Sequence, residues 1–196
     1  MNFEYWRHYA RGWLLHFFGR EDRAIEEYET AFRLDPGNVE AARHLAFIAA
    51  QKKRYDAAEK WFLATLQLAP EDADTHYNLG FVREQMGKPR DAIESFAAAT
   101  RLKPALDRAW YGLGLAHAAL GEHALAIAPL DEAARLQPMN GNAWYQLGMA
   151  CHLAGEAERV KAVVAKVVGF DPKIARQLVR DSGRDDLKSL IPELPF

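Results

Sequence analysis

The sequence has one cysteine, Cys151, among 196 residues. No internal disulfide can form, and low cysteine use fits a reducing compartment, so the expected location is cytoplasmic. The chain also lacks a surplus of either charge: 25 Lys and Arg face 27 Asp and Glu, a formal net charge of −2. Neutralising phosphates needs a basic surplus on some face, so nucleic acid is not an expected partner. Long apolar runs are missing too. The densest stretch, Trp13, Leu14, Leu15, Phe17 and Phe18, is interrupted by His16 and is too short to span a bilayer. Glu4, Arg7, His8 and Arg11 precede it and no small-residue cleavage pattern follows. It therefore reads as an amphipathic helix of the fold, with a helix resting on a membrane surface as the lesser reading. Core-building material is not scarce: 49% hydrophobic and 11% aromatic residues, with 27% charged, exclude disorder and a multi-span membrane protein as descriptions of the whole.

Signatures of catalysis are absent as well. Seven histidines, His8, His16, His44, His76, His117, His123 and His152, show no metal-ligand spacing. Cys151 precedes His152, but helix neighbours one apart point in different directions and do not form a nucleophile and base pair. Gly112 and Gly114 lack the third glycine of a dinucleotide loop and lie within a helical pattern. The expectation is a non-enzyme with no cofactor and no metal.

What the chain has is a period. Pro36, Pro70, Pro104, Pro138 and Pro172 recur every 34 residues, and ordinary proline usage would produce this at roughly one in 10⁵ per starting point. The same beat carries Gly80, Gly114 and Gly148; Gly87, Gly121 and Gly155, with Gly12 and Gly19 upstream; Ala24, Ala58, Ala92 and Ala126; and Leu34, Leu68, Leu102 and Leu136. Within a unit the spacing of Trp110, Leu113, Gly114 and His117, then Leu125, Ala126, Leu130 and Ala133, is helical. Each unit reads as two helices of about 14 residues. Gly87, Gly121 and Gly155 close first helices in the left-handed conformation, and the prolines end second helices and open the next. Gly80, Gly114 and Gly148 fall mid-helix, where glycine costs about 1 kcal/mol relative to alanine. Close approach of the partner helix at Ala92 or Ala126 is the expected compensation.

These residues resemble the tetratricopeptide repeat family. Leu79, Gly80, Ala92, Phe96, Ala99 and Pro104 in one unit, and Trp110, Leu113, Gly114, Ala126, Ala133 and Pro138 in the next, match its pattern. The first unit fits at Gly12, Ala24, Tyr28, Ala31 and Pro36 but has His8 and Arg11 at the Trp and Leu places. The second has Ala46 for glycine, and the fifth drifts to Val160, Val164 and Val167. The resemblance implies an all-α, right-handed superhelical solenoid over residues 1–182, with five helix-turn-helix repeats at 5–38, 39–72, 73–106, 107–140 and 141–174. A capping helix over 173–182 and a tail over 183–196, either docked as a short helix or mobile, would complete it.

The resemblance further implies non-catalytic recognition of another protein or peptide, as a scaffold or adaptor, on an inner wall made by first helices. The fifth positions of those helices are Tyr9, Arg43, Tyr77, Tyr111 and Tyr145, and the ninth are Trp13, Phe47, Phe81, Leu115 and Met149. Positions four apart share a helical face. These side chains are either groove or core. The groove is preferred because the Trp, Leu, Gly and Ala series already fills the core, and an amphipathic helix or extended apolar peptide is the expected ligand. The family's two-carboxylate clamp for chaperone tails is not supported. Its places hold Arg43, Phe47, Asn78, Arg108 and Gly112 in one register and Tyr9, Trp13, His44, Asp74 and Asn78 in the other. Arg43, Asn78 and Arg108 remain able to hold a single carboxylate or a backbone carbonyl. The alternative is a self-associating assembly protein that uses Phe3, Trp6, Trp13 and Phe17, or a tail that occupies the groove.

Overall fold

In a computed structural model that describes residues 3–192, 79% of the chain is helical and no strand occurs among the described residues. Contacts divide it into two compact units, Met1–Leu102 and Lys103–Phe196. The first holds α1 (Phe3–Phe17), α2 (Glu21–Leu34), α3 (Val39–Gln51), α4 (Tyr55–Leu68), α5 (Ala73–Gln85) and α6 (Pro89–Leu102). The second holds α7 (Asp107–Ala119), α8 (His123–Leu136), α9 (Gly141–Leu153), α10 (Ala157–Val168) and α11 (Pro172–Asp181), followed by a 3-10 helix at Asp185–Leu190.

The punctuation follows the period. Asn38, Asp72 and Asn140 each sit before a first helix and accept a backbone N–H of its first turn, satisfying donors that a helix start leaves open. The Trp110 and Trp144 indoles donate to the carbonyls of Pro104 and Pro138 at 2.9 Å. His76 stands at the same place and makes the same bond to the Pro70 carbonyl. Its ring thus substitutes for an indole. His8 and His117 are likewise satisfied, by Glu27 at 2.6 Å and Glu122 at 2.7 Å.

First helices end on a left-handed residue at Gly19, Gly87, Gly121 and Gly155, and the fifth member of that series is Lys53, at φ 56°. A lysine there carries a backbone strain that its glycine counterparts avoid.

Mid-helix glycines mark where the next helix presses closest, chiefly through residues one turn beyond the alanines expected, although the Ala126 carbonyl would also lie 3.4 Å from a Cβ on Gly114. A Cβ on Gly80 would lie 2.7 Å from the Phe96 ring, and one on Gly114 would lie 2.5 Å from Leu130. Both neighbours stand one turn beyond Ala92 and Ala126. At Gly148 the intruder is Leu178 of α11 rather than a residue of α10. The counterpart of Phe96 and Leu130 there is Val164, which is too short to fill the space, so the last helix supplies the side chain.

The core of the first unit contains Ala24, Tyr28, Leu45, Ile48, Ala58, Phe62, Leu79 and Val82, all essentially inaccessible. That of the second runs from Ala126 and Leu130 through Leu147 and Cys151 to Val160, Val164, Leu178 and Leu187. Leu187 docks the 3-10 helix against α10 and α11, and Arg176 donates to the Pro192 carbonyl at 3.2 Å. The tail through residue 192 therefore packs on the last helices, while Glu193, Leu194, Pro195 and Phe196 lie outside the described residues. No helix of the described residues is long and apolar enough to cross a membrane.

Candidate functional site

The two units treat the predicted recognition positions differently. In the second unit Tyr111, Tyr145 and Met149 are half-buried and pack against the core, and Leu115 is half-buried as well. The Tyr145 hydroxyl donates to the Asp181 carboxylate of α11 at 2.9 Å. Burial first, and then this carboxylate, raise the tyrosine's pKa. Arg108 is exposed on the first turn of α7.

The first unit leaves three large aromatics open at one register position: Trp13 on α1, Phe47 on α3 and Phe81 on α5 are 49%, 47% and 42% exposed. Around them lie three concavities. Phe47, Ala50, Gln51, Phe62, Asn78 and Phe81 line one of about 200 Å³, apolar apart from two amides. Trp13, His16, Phe17 and His44 line a second of about 310 Å³. The third, about 370 Å³, is lined by Arg43, Asp72, Asp74, Thr75 and Asn78. Asn78 is thus shared between an apolar and a charged hollow.

The fifth positions of this unit serve mainly as support. Tyr9 is half-buried between Tyr5, stacked at 5.8 Å, and Tyr28, edge-on at 5.7 Å, and its hydroxyl meets His44 Nε2 at 3.1 Å. His44 in turn stacks on Tyr28 at 4.8 Å. Burial, reinforced by nearby His16, lowers the His44 pKa, so the ring is neutral at pH 7. Tyr77 is half-buried with its ring 5.9 Å from that of Phe96. Arg43 donates to Glu40 and Asp72, both at 2.9 Å. Its charge is therefore spent inside the protein, and only its buried Nε lacks a partner among the described residues. Burial alone would raise the Asp72 pKa, but Thr75 and Arg43 hold it below the ordinary carboxylate value.

Sequence reasoning singled out Trp13, Phe47, Asn78 and Phe81, which the first unit brings to these hollows. It missed Asp72 as a lining residue, although its place in the series Asn38, Asp72, Asn140 was a readable signal. Phe17 was read as part of an N-terminal apolar face rather than as the lining of a hollow, and His16 and Gln51 carried no lining signal of their own, because their roles depend on where neighbouring helices stand.

No group of three or more His, Cys, Asp or Glu side chains among the described residues is placed to hold a metal. Cys151 is fully buried, and burial pushes its thiol up to about 11. The nucleophilic thiolate is thus disfavoured at neutral pH.

No curated protein matches the sequence. Solved structures do match the fold. YrrB, described as a TPR protein with an unusual peptide-binding site, superposes with a TM-score of 0.78 at 21% identity, covering 88% of this chain and 90% of its own. MamA gives 0.79 at 22% identity, with both chains covered in full. The C-terminal part of a TPR repeat-containing protein from Cytophaga hutchinsonii gives 0.75 at 17%, covering 90% of this chain and 73% of its own. The tetratricopeptide repeat family model matches residues 9–73 and 77–138, about two thirds of the sequence. The 34-residue period, the paired helices and this match together make the chain a member of the tetratricopeptide repeat family.

Proposed function

We propose that the protein is a non-catalytic recognition scaffold whose first unit docks an apolar-anchored segment of another protein. The observation that carries this reading is the row of Trp13, Phe47 and Phe81, large aromatics left about half exposed at one position of three successive first helices. Water contact at three such rings is unfavourable, and aromatic anchors set in hollows are what protein interfaces use. The apolar hollow of about 200 Å³ is of a size to take one aliphatic or aromatic side chain, while Asn78 and Gln51 offer amides to a peptide backbone. YrrB supports the reading by analogy, as a protein of this fold described with a peptide-binding site. Affinity capture from native lysate tests it. Wild-type protein is expected to retain a discrete partner that the Phe47→Ala/Phe81→Ala variant loses, and equal retention by both would sink the proposal.

A second reading rests on α1. Phe3, Trp6, Leu14, Phe17 and Phe18 are 76%, 42%, 48%, 72% and 70% exposed, a dense apolar display for one helix and its exit. Self-association through this helix would cover it. Sedimentation velocity over a range of concentrations distinguishes the two. A dimer lost in a Phe3→Ser/Phe17→Ser variant supports self-association, and a monomer throughout contradicts it.

A further inference from the structure

Resting on the second reading above, we infer that α1 pairs with α1 of a second copy of this chain. The two helices run antiparallel and cross at Ala10, so that the rings before Ala10 on one pack against the rings after it on the other.

Two faces of α1 are apolar. Tyr5 and Gly12 are buried and Leu15 is half-buried against the first unit's core, which accounts for one face. A turn of 3.6 residues advances about 100° per residue, so Trp13, Trp6, Phe17, Ala10, Phe3 and Leu14 follow one another around the other side, and all six are exposed. They fill an arc of about 100°, the width that a surface helix normally turns toward a core. Glu4, Arg7 and Arg11 stand beside this arc and not within it. A helix with apolar stripes on opposite sides fits between two packed layers, and the chain itself supplies one of them.

The size of the stripe matches an interface. Taking about 200 Å² for a fully exposed side chain of this size, the open parts of Phe3, Trp6, Trp13, Leu14, Phe17 and Phe18 amount to about 700 Å². The largest apolar patch on a typical monomer is about 300–600 Å², and a standard interface takes about 800 Å² from each partner. Several of the rings are already held in place. Trp13 and Phe17 stack at 5.7 Å, and Trp6 lies edge-on to Tyr5 at 5.1 Å and to Tyr9 at 5.4 Å, so docking them orders little that is free.

The order of side chains makes a second copy the partner. A two-fold interface needs a patch complementary to itself. Ala10, the smallest member, is the midpoint of the stripe: Phe3 and Trp6 precede it by two turns and one, and Leu14 and Phe17 follow it by one turn and two. An antiparallel crossing at Ala10 therefore sets Phe3 beside the other copy's Phe17, and Trp6 beside its Trp13 and Leu14. The short alanines let the two axes approach to about 8 Å, and opposed helix dipoles favour this direction over a parallel one.

Sedimentation velocity and cysteine crosslinking test the pairing together. Wild type is expected to dimerise as concentration rises. Ala10→Glu is expected to raise the dimer dissociation constant at least about 100-fold, because two carboxylates would meet at the axis. Ala10 is exposed, so this variant should keep the wild-type circular dichroism spectrum. Under mild oxidation Ala10→Cys should give a disulfide dimer, since crossing helices bring the two Cα atoms within disulfide reach. Glu4→Cys should give none, because the two-fold sets residues 4 about 18 Å apart along the helices. Wild type, whose free cysteine is the buried Cys151, is the blank. A dimer that survives Ala10→Glu but is lost in Phe3→Ser/Phe17→Ser overturns the pairing and leaves self-association through α1 standing, as does crosslinking of Glu4→Cys as fast as Ala10→Cys. A monomer at every concentration overturns both. If that monomer also floats with phosphatidylcholine vesicles, the stripe is a membrane-surface contact instead.

Discussion

Two phenylalanines in the first unit separate surface from core. Phe81 is 42% exposed beside the apolar hollow, whereas Phe96 is 1% exposed, with Gly80 and the Tyr77 ring against it. Truncating a fully buried phenylalanine costs about 3–5 kcal/mol, through lost burial and the cavity left behind. Phe96→Ala should fall in that range, because the helix opposite Gly80 cannot close the gap without moving. Phe81 already leaves nearly half its surface in water, and a side chain at the rim of an open hollow leaves no sealed cavity when removed. Phe81→Ala should therefore cost about 1–2 kcal/mol. For a chain of this size 1 kcal/mol shifts the melting temperature by about 2–4 °C, so the expected losses are roughly 5 °C for Phe81→Ala and roughly 10–15 °C for Phe96→Ala. Thermal unfolding followed by far-UV circular dichroism measures both, and partner capture on the same samples shows which change affects binding. Equal thermal losses would refute the reasoning, since Phe81 would then be core and the row of open aromatics an incomplete description of the unit.

Other consequences concern the scaffold. Lys53 is the non-glycine member of a left-handed series, so Lys53→Gly should stabilise by about 0.5–1 kcal/mol, strain relief exceeding the extra backbone entropy lost on folding; a lower urea midpoint would contradict this. Gly114→Ala gains about 1 kcal/mol of helix propensity but sets a Cβ 2.5 Å from buried Leu130, and overpacking costs about 1–3 kcal/mol. A net loss of about 1 kcal/mol in urea unfolding is expected, and a gain would mean that α7 and α8 yield freely. The folded pKa of His44 lies below its ordinary 6.5, so the unfolded chain binds that proton more readily. Stability should fall as pH drops from about 6.5 and level off below the folded pKa. Urea midpoints across this range should show a slope that His44→Gln flattens, and an unchanged slope would assign the effect to other groups.

The repeat was legible because its signals are local. Proline, the left-handed glycines and the helix spacing each act through a few neighbouring residues, and each recurs in register. Exposure was not legible. Tyr77, Tyr111 and Tyr145 occupy one register position, yet Tyr77 meets Phe96, Tyr111 packs on the second unit's core and Tyr145 bonds Asp181. What covers each ring is set by side chains distant in sequence, 19 residues away for Tyr77 and 36 for Tyr145, rather than by its own position. The same cause explains Gly148: a valine at 164 transfers the contact to Leu178, and no pattern within the repeat announces it. The Asp72 carboxylate was readable as part of a capping series, but its place beside an apolar hollow required knowing that Asn78 faces both. Docking of the tail through Leu187 depends on the open end of the last helices, a surface that no earlier repeat displays.

Site-specific photo-crosslinking tests the central claim most directly. With benzoylphenylalanine in place of Phe81, irradiation of cells is expected to give a discrete adduct with a different protein. The same group in place of Gln67, exposed on α4, should give none. An adduct at position 67 and not at 81, or only a homodimer at 81, would contradict the claim that this aromatic row docks another protein.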